Sequence, residues 1–118
     1  MADLFDVVEL VVDIPEHGLQ AGMQGTVVHC HPGNVYETEF ADEAGETLDF
    51  LALRPEQFIV VWRAATKEWV PIAERVAMLV GHLPEEAERE VLDFARFLRA
   101  RSQQALVAQR AVPKGAVG

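Results

Sequence analysis

The stretch Gly18 to Phe40, G-L-Q-A-G-M-Q-G-T-V-V-H-C-H-P-G-N-V-Y-E-T-E-F, most constrains what this chain can fold into. Gly22 and Gly25 stand just before the β-branched run Thr26-Val27-Val28. Glycine at such points supplies a positive φ or a close backbone approach that other residues resist. A tight loop feeding a strand is the economical reading. That strand should end near His31, because Pro32-Gly33-Asn34 is a turn cluster. Val35 to Phe40 then returns, with Tyr36, Thr38 and Phe40 on one face and Glu37 and Glu39 on the other. This alternation is that of a half-buried antiparallel strand.

Three further strands follow from the same reasoning. Phe5 to Val12 is β-branched and ends at the Pro15 and Gly18 loop. Asp42 to Glu46 is a hairpin turn with Gly45 at the positive-φ position, and Thr47 to Leu53 continues from it. Both faces of that strand are apolar: Leu48 and Phe50 on one, Leu51 and Leu53 on the other. Arg54 to Gln57 reads as a single tight turn before a last strand, Phe58 to Trp62. Five short strands in about sixty residues have the spacing of a small barrel. The expected core is Val7, Val27, Phe40, Leu48, Phe50, Phe58 and Val60.

Beyond a connector at 64–71, Ile72 to Val80 has helical spacing, with Gly81 stopping it. Pro84 suits the first turn of a second helix, and Glu85, Glu86 and Glu88 suit the positive end of its dipole. Ala87, Val91, Phe94, Leu98 and Ala105 form one stripe at 3.6 periodicity, flanked by Leu92 and Phe97. The helix should run to about Gln109, with Ala111 to Gly118 fraying. The expected fold is therefore mainly β with a C-terminal α part. A five-stranded barrel over 1–63 precedes a connector at 64–71 and a helical tail over 72–110, one short helix and one long.

Charge is unevenly spread. Residues 1–62 hold twelve acids and one base, whereas residues 63–118 hold nine bases and seven acids. An acidic barrel repels phosphate backbones, so no nucleic-acid partner is expected. No apolar run approaches the ~20 residues of a membrane span, so no membrane partner is expected either. The acidic start Met1 to Asp6 does not resemble a signal peptide, and the single Cys30 excludes an internal disulfide. A cytoplasmic protein is the expectation.

Candidate chemistry is sparse. His29 and His31 share a strand face and offer two positions on zinc or copper, but two ligands are not a site, and no metal or cofactor is expected. Glu37 and Glu39 share a face near Asp42, Glu43, Glu46 and Asp49, but paired carboxylates need a cleft and a shifted pKa to act as acid and base. The only serine is Ser102, and Gly18, Gly22 and Gly25 are followed by no G-K-[ST]. An enzyme is not expected.

Two resemblances add to this. Residues 5–62 resemble a small bacterial family of unknown function with an SH3-like barrel, whose members are often encoded near toxin–antitoxin genes. The matching residues are Asp6-Val7-Val8-Glu9-Leu10, Pro15, Gly18-Leu19, Gly22, Gly25-Thr26-Val27-Val28, Tyr36-Glu37-Thr38-Glu39-Phe40 and Gly45. Residues 83–98 are similar to a helical motif of some VapB-like antitoxins, through Leu83, Pro84, Glu90, Val91, Asp93, Phe94, Phe97 and Leu98. The first resemblance implies an SH3-like barrel and the second an antitoxin-like helix, and the chain departs from ordinary antitoxins of that type in having no recognisable N-terminal DNA-binding unit.

The expected function is a non-enzymatic protein-binding adaptor, antitoxin-like or immunity-like. The alternative expectation is a structural homodimer or an accessory subunit of a larger complex. The binding residues would be Leu92, Phe94, Phe97, Leu98, Arg96 and Arg99 on the helix, with Glu37 and Glu39 on the barrel. The partner would be another protein or a second copy. A helix whose apolar residues wrap beyond one stripe has more surface to bury than one small barrel covers.

Overall fold

The computed structural model describes residues 1–110. Six strands form one antiparallel sheet: β1 Val7–Leu10, β2 Gln24–His31, β3 Val35–Ala41, β4 Thr47–Leu53, β5 Phe58–Arg63 and β6 Glu68–Trp69. Their order is β4-β3-β2-β1-β5-β6. The outermost strands, β4 and β6, do not pair with each other, so this is an open sheet of six strands rather than the expected barrel of five. Two helices follow, α1 Ile72–Val80 and α2 Glu85–Arg110. Neither is long and apolar enough to cross a membrane. The expectation of fraying over 111–118 falls outside the described residues.

The turns obey their residues. Gly33 and Asn34 take φ of 82° and 58° between β2 and β3, and Gly45 takes 85° between β3 and β4. The turn into β5 is a 3₁₀ helix, Pro55–Gln57, with the Arg54 N–H bonded to the Gln57 side chain at 2.8 Å. Gly25 answers a different need. A Cβ there would lie 2.7 Å from Thr38 Cγ2 and 2.9 Å from the Glu39 carbonyl oxygen, so β2 and β3 approach too closely for any side chain.

Two strand boundaries differ from the sequence reading. β1 is shorter than Phe5 to Val12, because Phe5 adopts φ of 70° and its N–H bonds to the Val27 carbonyl. The connector contains β6, where Lys67 at φ of 56° turns the chain back so that Trp69 opposes Trp62.

One side of the sheet covers the core, built from Val8, Leu10, Leu19, Val27, Tyr36, Phe40, Leu53, Phe58 and Val60. Val27, Phe40, Phe58 and Val60 are buried as expected, and Val7 is half-buried. Leu48 and Phe50 are not in the core; they are 53% and 54% exposed. Cross-strand register explains the reversal. Residues opposed across an antiparallel pair share a face. Leu53 opposes the inward Tyr36 and Leu51 the inward Thr38, whereas Phe50 opposes the outward Glu39. β3 has one apolar face, so it decides which of β4's two apolar faces turns inward.

Contacts divide the chain into two compact units, one from Met1 to His82 and one beginning at Leu83. α1 belongs to the first unit and packs beside β5, with Met78 against the core. Leu83, Pro84 and α2 make up the described part of the second.

Candidate partner-binding surfaces

Glu37 and Glu39 lie on the outward face of the sheet, half-buried. Glu39 accepts a hydrogen bond from the Thr47 hydroxyl at 2.5 Å, and Glu37 stands 3.7 Å from His31 Nε2. Phe50 opposes Glu39 and Ala52 opposes Glu37, so the exposed Phe50 and Leu48 adjoin the acidic pair. Of the nearby acids, Asp42 is used by the hairpin, accepting the Ala44 and Glu46 N–H groups at 3.0 and 2.9 Å. The arrangement is a mixed apolar and acidic strand face, and Glu39 also lines a hollow of about 220 Å³ with Val7, Gln24 and Thr26.

Asp49 was grouped with these acids by sequence but does something distinct. Its carboxylate meets His17 Nδ1 at 2.5 Å and accepts the Phe50 N–H at 2.8 Å. The hydrogen bond from His17 holds Asp49 below the usual carboxylate pKa; partial desolvation opposes this, and the Phe50 N–H and the charge of His17 add to it. Through this pair the 3₁₀ turn Pro15–His17 is tied to outer strand β4. Outward N–H groups of an outer strand are otherwise a template for adventitious pairing.

The His29 and His31 rings stand 4.4 Å apart, edge to face. Among the described residues no group of three or more His, Cys, Asp or Glu is placed to hold a metal ion. Cys30 is exposed between them.

A cavity of about 240 Å³ opens beside the core, lined by Ala2, Tyr36, Phe58, Val60, Met78 and His82 among others. Tyr36 meets Phe58 edge to face at 5.6 Å. Burial raises the pKa of the Tyr36 phenol, and negative charge at Cys30 and Asp3 raises it further. The His82 ring joins the end of α1 to the Pro55 turn, with Nδ1 2.8 Å from the Met78 carbonyl and Nε2 3.0 Å from that of Pro55. The volume falls below the ~300–1,000 Å³ of ordinary small-molecule sites.

α2 bears the other expected residues. Leu92, Phe94 and Phe97 are 49%, 61% and 55% exposed, and Leu98 is half-buried. Phe94 and Phe97 stack with ring centres 6.0 Å apart, and the Arg101 guanidinium lies 5.6 Å from the Phe97 ring centre. Arg96 pairs with Asp93 at 3.7 Å and Arg89 with Glu85 at 3.0 Å, both along the helix. Arg99 is exposed. Leu106 is also 54% exposed and lies outside the stripe read from the sequence. The helix residues thus share one element. Glu37 and Glu39 share another, in a different unit of the chain.

Residues 4–60 match the family model described as a domain of unknown function, DUF4926. The matched segment runs from before β1 into β5 and contains neither helix. No curated protein and no solved structure matches the chain.

Proposed function

We propose that the chain is a non-enzymatic protein-binding adaptor whose docking element is α2. The observation that carries this reading is the exposure of Leu92, Phe94 and Phe97 on one long helix. A globular protein seldom leaves several large apolar side chains of one helix in water unless another surface covers them. Arg99 borders the row that holds Phe94, while Arg96, paired with Asp93, lies beside Leu92 on the other side of the helix; both would face acidic groups of a partner. On the sheet, Leu48 and Phe50 beside Glu37 and Glu39 offer a second contact face.

The sheet itself reads as SH3-like. The strand order β4-β3-β2-β1-β5 and the 3₁₀ turn immediately before β5 support that reading. The adaptor would be antitoxin-like or immunity-like, a cytoplasmic protein that covers a partner with a helix. The position of Pro84 just ahead of α2 is compatible with the helix-start part of the antitoxin motif.

Affinity purification from the native cell, with three baits compared by mass spectrometry, tests the proposal. The baits are the intact chain, Phe97→Asp, and a truncation ending at His82. A protein recovered with the intact chain and lost from both variants supports α2 as the docking element. Equal recovery with all three removes it.

A further inference from the structure

The charges of α2 are sorted along its length. From Glu85 to Asp93 the helix carries five acids and one base; from Phe94 to Leu106 it carries three arginines and no acid. The helix dipole accounts for acids in the first turn. It does not account for Arg96, Arg99 and Arg101, because its field falls off within the last turn and the helix continues to Arg110.

The charges are also sorted around the axis. At about 100° per residue, Ala87, Val91, Phe94, Leu98 and Ala105 lie within about 60° of one another. Glu90 and Arg101 border this row on one side, and Glu88 and Arg99 on the other. The Arg101 guanidinium over the Phe97 ring fits the first flank, where Phe97 also lies. The ion pairs formed within the helix, Arg89–Glu85 and Arg96–Asp93, are on the side away from the row. Glu88, Glu90, Arg99 and Arg101 take part in no ion pair among the described residues. So the charges beside the apolar row are the ones left for a partner.

These positions select one occupant. In an antiparallel helix pair, residues on the same flank meet. Glu88 then faces Arg99 of the other copy, and Glu90 faces Arg101. Both pairings fit one register, each displaced along the axis by about 3 Å, within the reach of these side chains. In that register Val91 opposes Leu98, and Phe94 lies beside its own symmetry mate. A parallel pair would instead set glutamate beside glutamate and arginine beside arginine.

We propose that α2 pairs antiparallel with α2 of a second copy, with Ala87, Val91, Phe94 and Leu98 as the seam and Glu88 and Glu90 of each copy facing Arg99 and Arg101 of the other. This rests on the reading of α2 as a docking helix and names its partner.

The test uses the full chain and two charge variants, Glu88→Lys/Glu90→Lys and Arg99→Glu/Arg101→Glu, by analytical ultracentrifugation up to ~100 µM, well above a micromolar Kd. The intact chain should be a dimer. Each variant alone should be monomeric, and an equimolar mixture should recover the dimer, since the flanks of one are wholly basic and those of the other wholly acidic. Recovery on mixing also shows that each variant is folded.

Orientation is read by disulfide formation in a Cys30→Ser background. Glu90→Cys mixed with Arg101→Cys should cross-link, and Arg101→Cys alone should not. A monomeric intact chain at ~100 µM overturns the pairing but leaves α2 as a docking helix for a different protein, which the three-bait purification decides. Dimers unaffected by either charge variant, or an Arg101→Cys homodimer, overturn the antiparallel seam. Dimers that persist after truncation at His82 overturn the seam and the docking role of α2 together.

Discussion

Replacing Asp6 should loosen the first unit from two ends at once. Its side chain is 1% exposed, yet both carboxylate oxygens are used. Oδ2 accepts the Asp3 N–H at 2.9 Å, and Oδ1 accepts the Ala64 N–H at 2.8 Å. The second bond joins residues 58 apart and fastens the start of β1 to the end of β5. Hydrogen bonds to charged groups contribute ~1.5–3 kcal/mol each, and a donor left unpaired costs ~1–3 kcal/mol when buried. Asp3 is exposed and Ala64 half-buried, so water reaches the freed donors and the low end applies. Asp6→Ala should therefore cost about 2–3 kcal/mol in all. Asp6→Asn keeps one acceptor and presents its amide N–H to the other donor, so it should lie between wild type and alanine. Urea unfolding followed by tryptophan fluorescence measures both. The expected result is a lower midpoint with an unchanged m-value. A loss below ~0.5 kcal/mol for alanine would refute the reasoning, since it would mean that neither bond holds the ends together.

Other consequences follow from the register and the close approaches. Phe40→Ala should cost ~3–5 kcal/mol, because the ring is wholly buried, whereas Phe50→Ala should cost under ~1 kcal/mol. Equal losses in urea unfolding would contradict the β3–β4 register. Gly25→Ala should lower the melting temperature through overpacking of ~1–3 kcal/mol or more, since the Glu39 carbonyl oxygen belongs to a paired strand and cannot swing aside. An unchanged melting temperature would show that the strands can part. Asp49, with its pKa lowered in the folded state, contributes stability that is present above the ordinary carboxylate value of ~4 and is lost as pH falls through its folded value. His17→Ala should move the Asp49 midpoint upward in a side-chain carboxyl NMR titration; an unmoved midpoint would contradict the pair.

Much of this fold is legible in the chain, and the exceptions have physical causes. The turns at Gly33-Asn34 and Gly45 announce themselves, because only a few residue types tolerate φ > 0. Phe5 and Lys67 adopt the same region without any such signal, so the short β1 and the existence of β6 stay hidden. The facing of β4 is hidden for another reason. Leu48 and Phe50 match Leu51 and Leu53 in hydrophobicity, and only pairing with β3 distinguishes them. The use of Asp6 and of the His17–Asp49 pair depends on partners distant in sequence, which periodicity does not reveal. α2 is the reverse case. Its stripe and flanks follow from local spacing alone, which is enough to put Leu92, Phe94, Phe97 and Leu98 on one helix.

The most direct test of the account compares the association of the intact chain with that of the truncation ending at His82. Sedimentation equilibrium at rising concentration, with a thermal melt of each protein, supplies both readings. The intact chain should self-associate, and the truncation should be a monomer that still melts cooperatively, because its core lies wholly within residues 2–70. A truncation that associates as strongly as the intact chain would contradict the central claim that α2 carries the binding surface.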